Sequence, residues 1–196
     1  KRGEGGGGLG GGTFCGKKKS ATATGSVTGN KNVGGLVGIN GENITDLSAS
    51  GSVNGSLRVG GLVGVNFGTV QSASATGNVT GTDRVGGLVG DHLVGTVSDG
   101  NETIIAGTIR DTFAVGTVSG SGDVGGLLGS NTASRTDATG TVEQSYFDKT
   151  VSGTNQTTSA GNATGLTTAQ MQGQAARTNM SGFEFGVDWQ TQTDPA

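Results

Sequence analysis

His92 is the only histidine in the chain of 196 residues, and Asp91 stands beside it. An imidazole working as a base needs a nucleophile to deprotonate and an acid to orient it. In extended chain, adjacent side chains point to opposite faces, so Asp91 cannot be that acid. His92 is expected to be a polar residue at a turn. Cys15 is the only cysteine, which excludes an internal disulfide. Lys17, Lys18 and Lys19 lie close to it and favour a thiolate. No histidine accompanies it in sequence, so it is expected to be an incidental thiol or, in a secreted chain, a link to another chain. Glu42, Asp46, Asp83, Asp99, Asp111 and Asp123 are scattered. They do not repeat the Gly-Gly-x-Gly-x-Asp series of calcium-binding solenoids, which leaves at most one opportunistic cation at a turn. The run Gly5–Gly12 lacks the Gly-Lys-Ser/Thr ending of a phosphate-cradling loop. The expectation is a protein that is not an enzyme, with no cofactor and no metal.

Hydroxyls and asparagines are more regular. Thr22, Ser48 and Ser74 form one series, Thr24, Ser50 and Thr76 a second, and Ser26, Ser52 and Asn78 a third. Such ranks on a flat surface could order water as ice does. They break where Phe113 and Val115 take the corresponding places, and hydroxyls suit exposed strand positions in any case. Seven asparagines begin Asn-x-Ser/Thr sequons: Asn43, Asn54, Asn78, Asn101, Asn155, Asn162 and Asn179. They are candidate glycan acceptors, and attached sugars must point outward.

The elements that position these residues follow from one phrase spelled four times. It reads Val33-Gly-Gly-Leu-Val-Gly-Ile-Asn40, Val59-Gly-Gly-Leu-Val-Gly-Val-Asn66, Val85-Gly-Gly-Leu-Val-Gly-Asp-His92 and Val124-Gly-Gly-Leu-Leu-Gly-Ser-Asn131. The first three copies start 26 residues apart and the fourth 39 later. A fixed period of this size marks units that bury their apolar faces only against their neighbours. Before each phrase, small and apolar residues alternate with polar ones, as in Ala49-Ser-Gly-Ser-Val53. Period two predicts a strand with one buried face. Three glycines per phrase argue against helix, where each costs about 1 kcal/mol. They argue for a tight corner or a close backbone approach. The fold class is therefore all-β: a β-solenoid of the parallel β-helix type, in coils of about 26 residues. Leu36, Leu62, Leu88 and Leu127 should form one buried column, and Val27, Val53, Val79 and Val118 another.

The Gly-Gly-Leu-Val-Gly phrase with its following Asn resembles the GLUG repeat, over roughly residues 20–150. The third copy departs from it at Asp91-His92, and the fourth has Leu128 for Val. The resemblance implies a repetitive β fold in secreted and cell-surface proteins of bacteria and archaea, including adhesins and peptidase-associated regions. It brings no catalytic residues.

Three segments are expected. Residues 1–19 are a Gly-rich stretch or a degenerate coil, with Leu9 placed 27 residues before Leu36. Residues 20–148 are the solenoid. About a dozen residues near Ser98–Ala106 break its phase as an inserted loop, with Thr96-Val97 resembling a coil start. Residues 149–196 are a cap. It holds one helix N-capped by Thr167 or Thr168, with Met171 and Ala175 on its inner face, and Phe183, Phe185 and Trp189 beyond. Polar pairs such as Asn30-Lys31 and Asp83-Arg84 are expected at solvated corners. The net charge of −3 makes no case for nucleic acid or an anionic membrane. No stretch is apolar enough for a membrane helix, and no signal peptide is visible, so a secreted protein would be a mature form or a fragment. The functional expectation is a glycosylated structural or adhesive module at the cell surface or outside the cell. Its alternatives are a filament subunit and an accessory region of a secreted enzyme. Leu9 and Cys15, at an N-terminal end without bulky residues, are candidate contacts between chains.

Overall fold

The 26-residue period becomes one coil of chain, and each coil lies on the next in register. The computed structural model describes residues 13–14, 18–98, 102–133, 140–154 and 162–185. Four sheets run along the stack, and within each the strands of successive coils pair in parallel. The long sheet comprises Lys18–Ala23, Asn43–Ala49, Thr69–Ala75, Thr108–Ala114, Thr141–Asp148 and Thr164–Leu166. The short sheet comprises Val27–Thr28, Val53–Asn54, Val79–Thr80 and Val118–Ser119. Lys31–Gly34, Leu57–Gly60, Asp83–Gly86 and Val124–Gly125 enter each phrase. Val37–Asn40, Val63–Asn66, Val89–Ser98 and Leu128–Ala133 leave it, with Thr13–Phe14 paired before them.

Repetition puts like on like. The Leu36 amide donates to the Leu62 carbonyl at 3.0 Å, Leu62 to Leu88 at 2.9 Å, and Leu88 to Leu127 at 2.8 Å. All four leucines are buried, in a core with Ile44, Val70, Ile109 and Val142. Val53, Val79 and Val118 lie in a second core with Val33, Val59 and Val85, and Val27 is half-buried at its end. The glycines let successive phrases press backbone on backbone. A Cβ on Gly64 would sit 2.7 Å from the Val33 nitrogen, and one on Gly90 would sit 2.5 Å from that of Val59. Only glycine permits this contact of backbone on backbone.

Several elements differ from expectation. The alternating segment is not one strand. Its Ala49 ends the long strand, Gly51 lies in a corner, and Val53 starts the short strand. Alternation of burial survives because the corner keeps the same in-and-out order: Ala49, Gly51 and Val53 are buried while Ser50, Ser52 and Asn54 are exposed. The pairs Asn30-Lys31 and Asp83-Arg84 are only partly corners. Lys31, Asp83 and Arg84 belong to entry strands. Thr96-Val97 does not start a coil. It pairs antiparallel with Ile104 and Thr103, so the insertion is a hairpin, and the coil resumes with Thr108 opposite Thr69. Of the two readings of residues 1–19, the described residues agree with a coil: Thr13 pairs with Ile39 and Lys19 with Thr45 in the same register.

The long strands carry a bend that composition does not announce. Ser20, Asp46, Ser72, Asp111 and Gln144 all have φ between 43 and 58°. Pairing skips these positions, passing from Thr45–Gln71 to Leu47–Ala73. One left-handed residue per strand resets the alternation, so Ile44 and Leu47 both face the core. Asn32, Arg58 and Arg84 form a second left-handed column in the entry strands.

The C-terminal end closes in two ways. Phe147 is fully buried beneath Gly126 and Gly165, and Thr164–Leu166 adds a strand over Tyr146–Asp148. Tyr146 faces the other way, into a cluster with Leu166, Ala176, Met180 and Phe183 that Phe113, Met171 and Phe185 border. The expected helix is two. Thr167 caps a single turn over Thr168–Met171 with a full capping box. Gln172 is extended, and an α-helix spans Gly173–Asn179. Its buried pair is Ala176 and Met180, not Met171 and Ala175. The break at Gln172 shifts the inner face by one residue. Leu9, Cys15 and Trp189 lie outside the described residues.

Leu62→Ala should cost about 2–5 kcal/mol, because its cavity is enclosed by leucines above and below that cannot collapse into it. Asp46→Gly should be neutral or stabilise by up to about 1 kcal/mol, since a left-handed L residue costs about 1–2 kcal/mol. Asp46→Val should destabilise. Urea denaturation of the three variants checks these signs.

Candidate functional site

The third phrase replaces the Val65-Asn66 of the second with Asp91-His92, at the same register. Both side chains are fully buried and face opposite ways, as adjacent strand residues must.

Asp91 faces the left-handed column of the entry strands. Its Oδ2 accepts from Arg58 Nε at 3.0 Å and from Arg84 Nη1 at 2.7 Å. Both arginines are about one-third exposed. They occupy one column in neighbouring coils, about 4.8 Å apart along the stack. Two unit charges at that distance repel by on the order of 3 kcal/mol at an effective dielectric near 20. One buried carboxylate between them offsets this. Burial opposes the Arg84 charge, but the hydrogen bond and charge of Asp91, with Asp83 and Asp123, outweigh it and raise its pKa.

His92 belongs to a column of side-chain amides, Asn40–Asn66–His92–Asn131. Each asparagine clasps the corner that follows its phrase. Asn40 Nδ2 donates to the Glu42 carbonyl at 2.9 Å, and Glu42 N donates back to its Oδ1 at 3.3 Å. Asn66 Nδ2 donates to the Gly68 carbonyl at 2.8 Å. Asn131 makes both bonds with Gly140, each at 3.0 Å. Between coils, Asn40 Nδ2 donates to Asn66 Oδ1 at 2.7 Å, and Asn66 Nδ2 lies 3.1 Å from His92 Nδ1. The asparagine clasps set the direction of this chain, so Nδ1 accepts and the ring proton sits on Nε2. Nε2 meets no hydrogen-bonding partner in good geometry. Burial lowers the His92 pKa, against weaker upward pulls from the backbone of Asn66, Gly107 and Thr141 and from Asp91.

His92 is thus a buried strand residue, not a polar residue at a turn. The imidazole takes space left by glycines. A Cβ on Gly107 would sit 2.5 Å from its Cε1, and one on Gly140 would sit 2.9 Å from the same atom. The amide column is not legible in the spacing. The Asn that ends the phrase is plain in the sequence, but nothing there shows that it bonds both across a corner and to its own repeat.

The remaining candidates lie apart from this pair. Asn43, Asn54, Asn78 and Asn162 are exposed. Asn78 Oδ1 accepts from Thr117 N at 3.1 Å, and Asn179 Nδ2 donates to the Ala175 carbonyl at 2.8 Å. Asn101 and Asn155 are outside the described residues. In the hydroxyl ranks Ser74 Oγ donates to Ser48 Oγ at 3.2 Å, and the rank runs on into Phe113 and Tyr146. Glu42, Asp46 and Asp123 are exposed and separate. Among the described residues no three metal-ligating side chains converge.

A family model described as the GLUG motif matches residues 29–54 and 55–80. Each match spans one structural coil, from the corner after one short strand through the next short strand. No curated protein and no solved structure matches the chain. Among the described residues no helix is long and apolar enough to cross a membrane.

Replacing both arginines, Arg58→Met with Arg84→Met, should cost about 3–5 kcal/mol, because it strands the buried Asp91 carboxylate. Asp91→Val restores the apolar residue of the preceding coil and leaves the arginines free to turn into water. It should cost less than half as much. Chemical denaturation at neutral pH measures both, and the reverse order would show that the carboxylate is not the group that needs its partners.

Proposed function

From the premise that this chain carries GLUG repeats, we propose that it is a non-enzymatic structural module of the cell surface or extracellular space. It acts through homotypic or surface contact and bears N-linked glycans. The observation that carries this proposal is the use to which the stack puts its chemistry-bearing residues. Asp91 is held through Oδ2 by two arginines and His92 through Nδ1 by the amide column, facing opposite ways, while the outer ranks are short hydroxyls and amides. A secreted peptidase or polysaccharide-active enzyme would need its acid and base converging on one substrate.

The filament alternative requires head-to-tail stacking in continuous register. A following copy would have to pair its six-residue strand Lys18–Ala23 on the outer edge of Thr164–Leu166, which offers three residues. Contact through a lateral face is therefore favoured over end-to-end growth, and the sheet edges at the N-terminal end remain the place for another segment to pair.

The exposed sequons suit modification unequally. Asn43 and Thr45 share a strand face across buried Ile44, and Asn54 leads into the corner that bears Ser56. The Asn179 amide is already bonded at its helix end. With a secretion leader in a glycosylating host, peptide mass spectrometry should find sugar at Asn43 and Asn54 and little at Asn179. Unmodified Asn43 and Asn54 would remove glycans from the proposal. Separately, a membrane-impermeant amine reagent applied to intact native cells should label the protein, and failure to label it would remove the surface location.

A further inference from the structure

The residue that ends the phrase sits at a corner in every coil, but the span it closes differs. Asn40 clasps Glu42 and Asn66 clasps Gly68, each two residues on. In the third coil the column residue is His92, and the position matching Gly68 is Gly107, since Thr69 pairs with Thr108. The chain between them makes the hairpin, in which the strand Val89–Ser98 pairs antiparallel with Glu102–Ala106. His92 packed on Gly107 is therefore the neck of that hairpin. The parallel pairing of its strand with the preceding coil ends at His92 itself.

We propose that His92 makes this neck an acid-sensitive joint: the neutral ring extends the asparagine ladder and holds the corner shut, and the protonated ring breaks the ladder and lets the hairpin strands open from a stack that otherwise stays paired.

The geometry leaves the second proton no good place. On Nδ1 it would point an N–H at the Asn66 amide, which is itself a donor. Turning that amide over would forfeit its bonds to Gly68 and Asn40. The remaining groups in reach are backbone: the Asn66 carbonyl at 3.3 Å, at the limit of a hydrogen bond, and Gly107 and Thr141, and together they pull the ring toward its charged form less than burial opposes it. The ring cannot swing away, because Gly107 and Gly140 press on it. The packed strands present Asn66, Gly107, Asn131, Gly140 and Thr141 to this position, none of them ionisable. Asp91 is the charge that reaches the ring, and its carboxylate is held on the opposite face by Arg58 and Arg84.

The sign follows from burial. In the closed state the ring titrates below its ordinary value of about 6.5, and in an opened corner it returns to that value. The closed state is then fully favoured above about pH 6.5 and loses ground as pH falls through the lowered value. Between those limits each pH unit makes opening about tenfold easier.

Hydrogen exchange followed by mass spectrometry at pH 7.5 and 5.5, corrected for intrinsic rates, tests this on the whole chain. Protection of residues 93–98 and 102–107 should fall at pH 5.5, with residues 43–49 unchanged. His92→Asn restores the clasp of the other coils and cannot titrate, so it should abolish the difference. An unchanged wild type, or the same acid response in His92→Asn, would overturn the proposal. NMR titration of the His92 ring in the wild type tests it without relying on the variant to fold. A ring pKa below about 6.5 is expected, and one at or above that value overturns the proposal.

Discussion

Each side chain in this stack has its own repeat as its nearest neighbour, one coil away. That constraint governs what a repeating position can hold. Leucine and valine stack on their own kind and build columns that strengthen with every coil. Glycine repeats where two backbones meet. Asparagine can repeat because its amide is both donor and acceptor, so Asn40 bonds Asn66 while each also clasps its own corner. A charge cannot repeat without a counter-charge, since like charges one coil apart repel in a partly desolvated site.

The third coil shows the constraint from its exceptions. Arg58 and Arg84 do repeat, and the chain answers with Asp91 in a column that otherwise holds Thr13, Ile39, Val65 and Ser130. His92 interrupts the amides at the coil that carries the inserted hairpin, and glycines at 107 and 140 make room for it. The two departures from the phrase therefore belong to the architecture, one to an adjacent column and one to an adjacent insertion. A single residue cannot be exchanged without attention to the residues above and below it. This explains why a sequence of such low aromatic and high glycine content still specifies one register.

Much of this is legible in the sequence, because periodicity is a property of sequence. The coil length, the leucine and valine positions and the phase break near Ser98–Ala106 all follow from counting. The rest depends on backbone angles and on partners far away in the chain. Asp46, Ser72 and Asp111 are all short polar residues and all left-handed, but short polar residues fill most outward positions of these strands, so composition does not single out the bend. The helix after Thr167 can be capped from sequence, but the extended Gln172 moves its buried face from Ala175 to Ala176. In sequence the neighbour of His92 is Asp91, whereas in the fold its partners are Asn66 and the glycines at 107 and 140.

In-register stacking of consecutive coils is the claim on which the rest stands. It is tested by a disulfide between Ser48→Cys and Ser74→Cys, made with Cys15→Ser so that no third thiol intervenes. The two serine oxygens lie 3.2 Å apart in the same column, within reach of a disulfide once the sulfurs replace them. Mild oxidation of the folded monomer should join these two cysteines quantitatively, while Ser48→Cys with Gln71→Cys, out of register in the same strands, should stay reduced. Failure of the first pair to form, or equal bonding of the second, would contradict the stack.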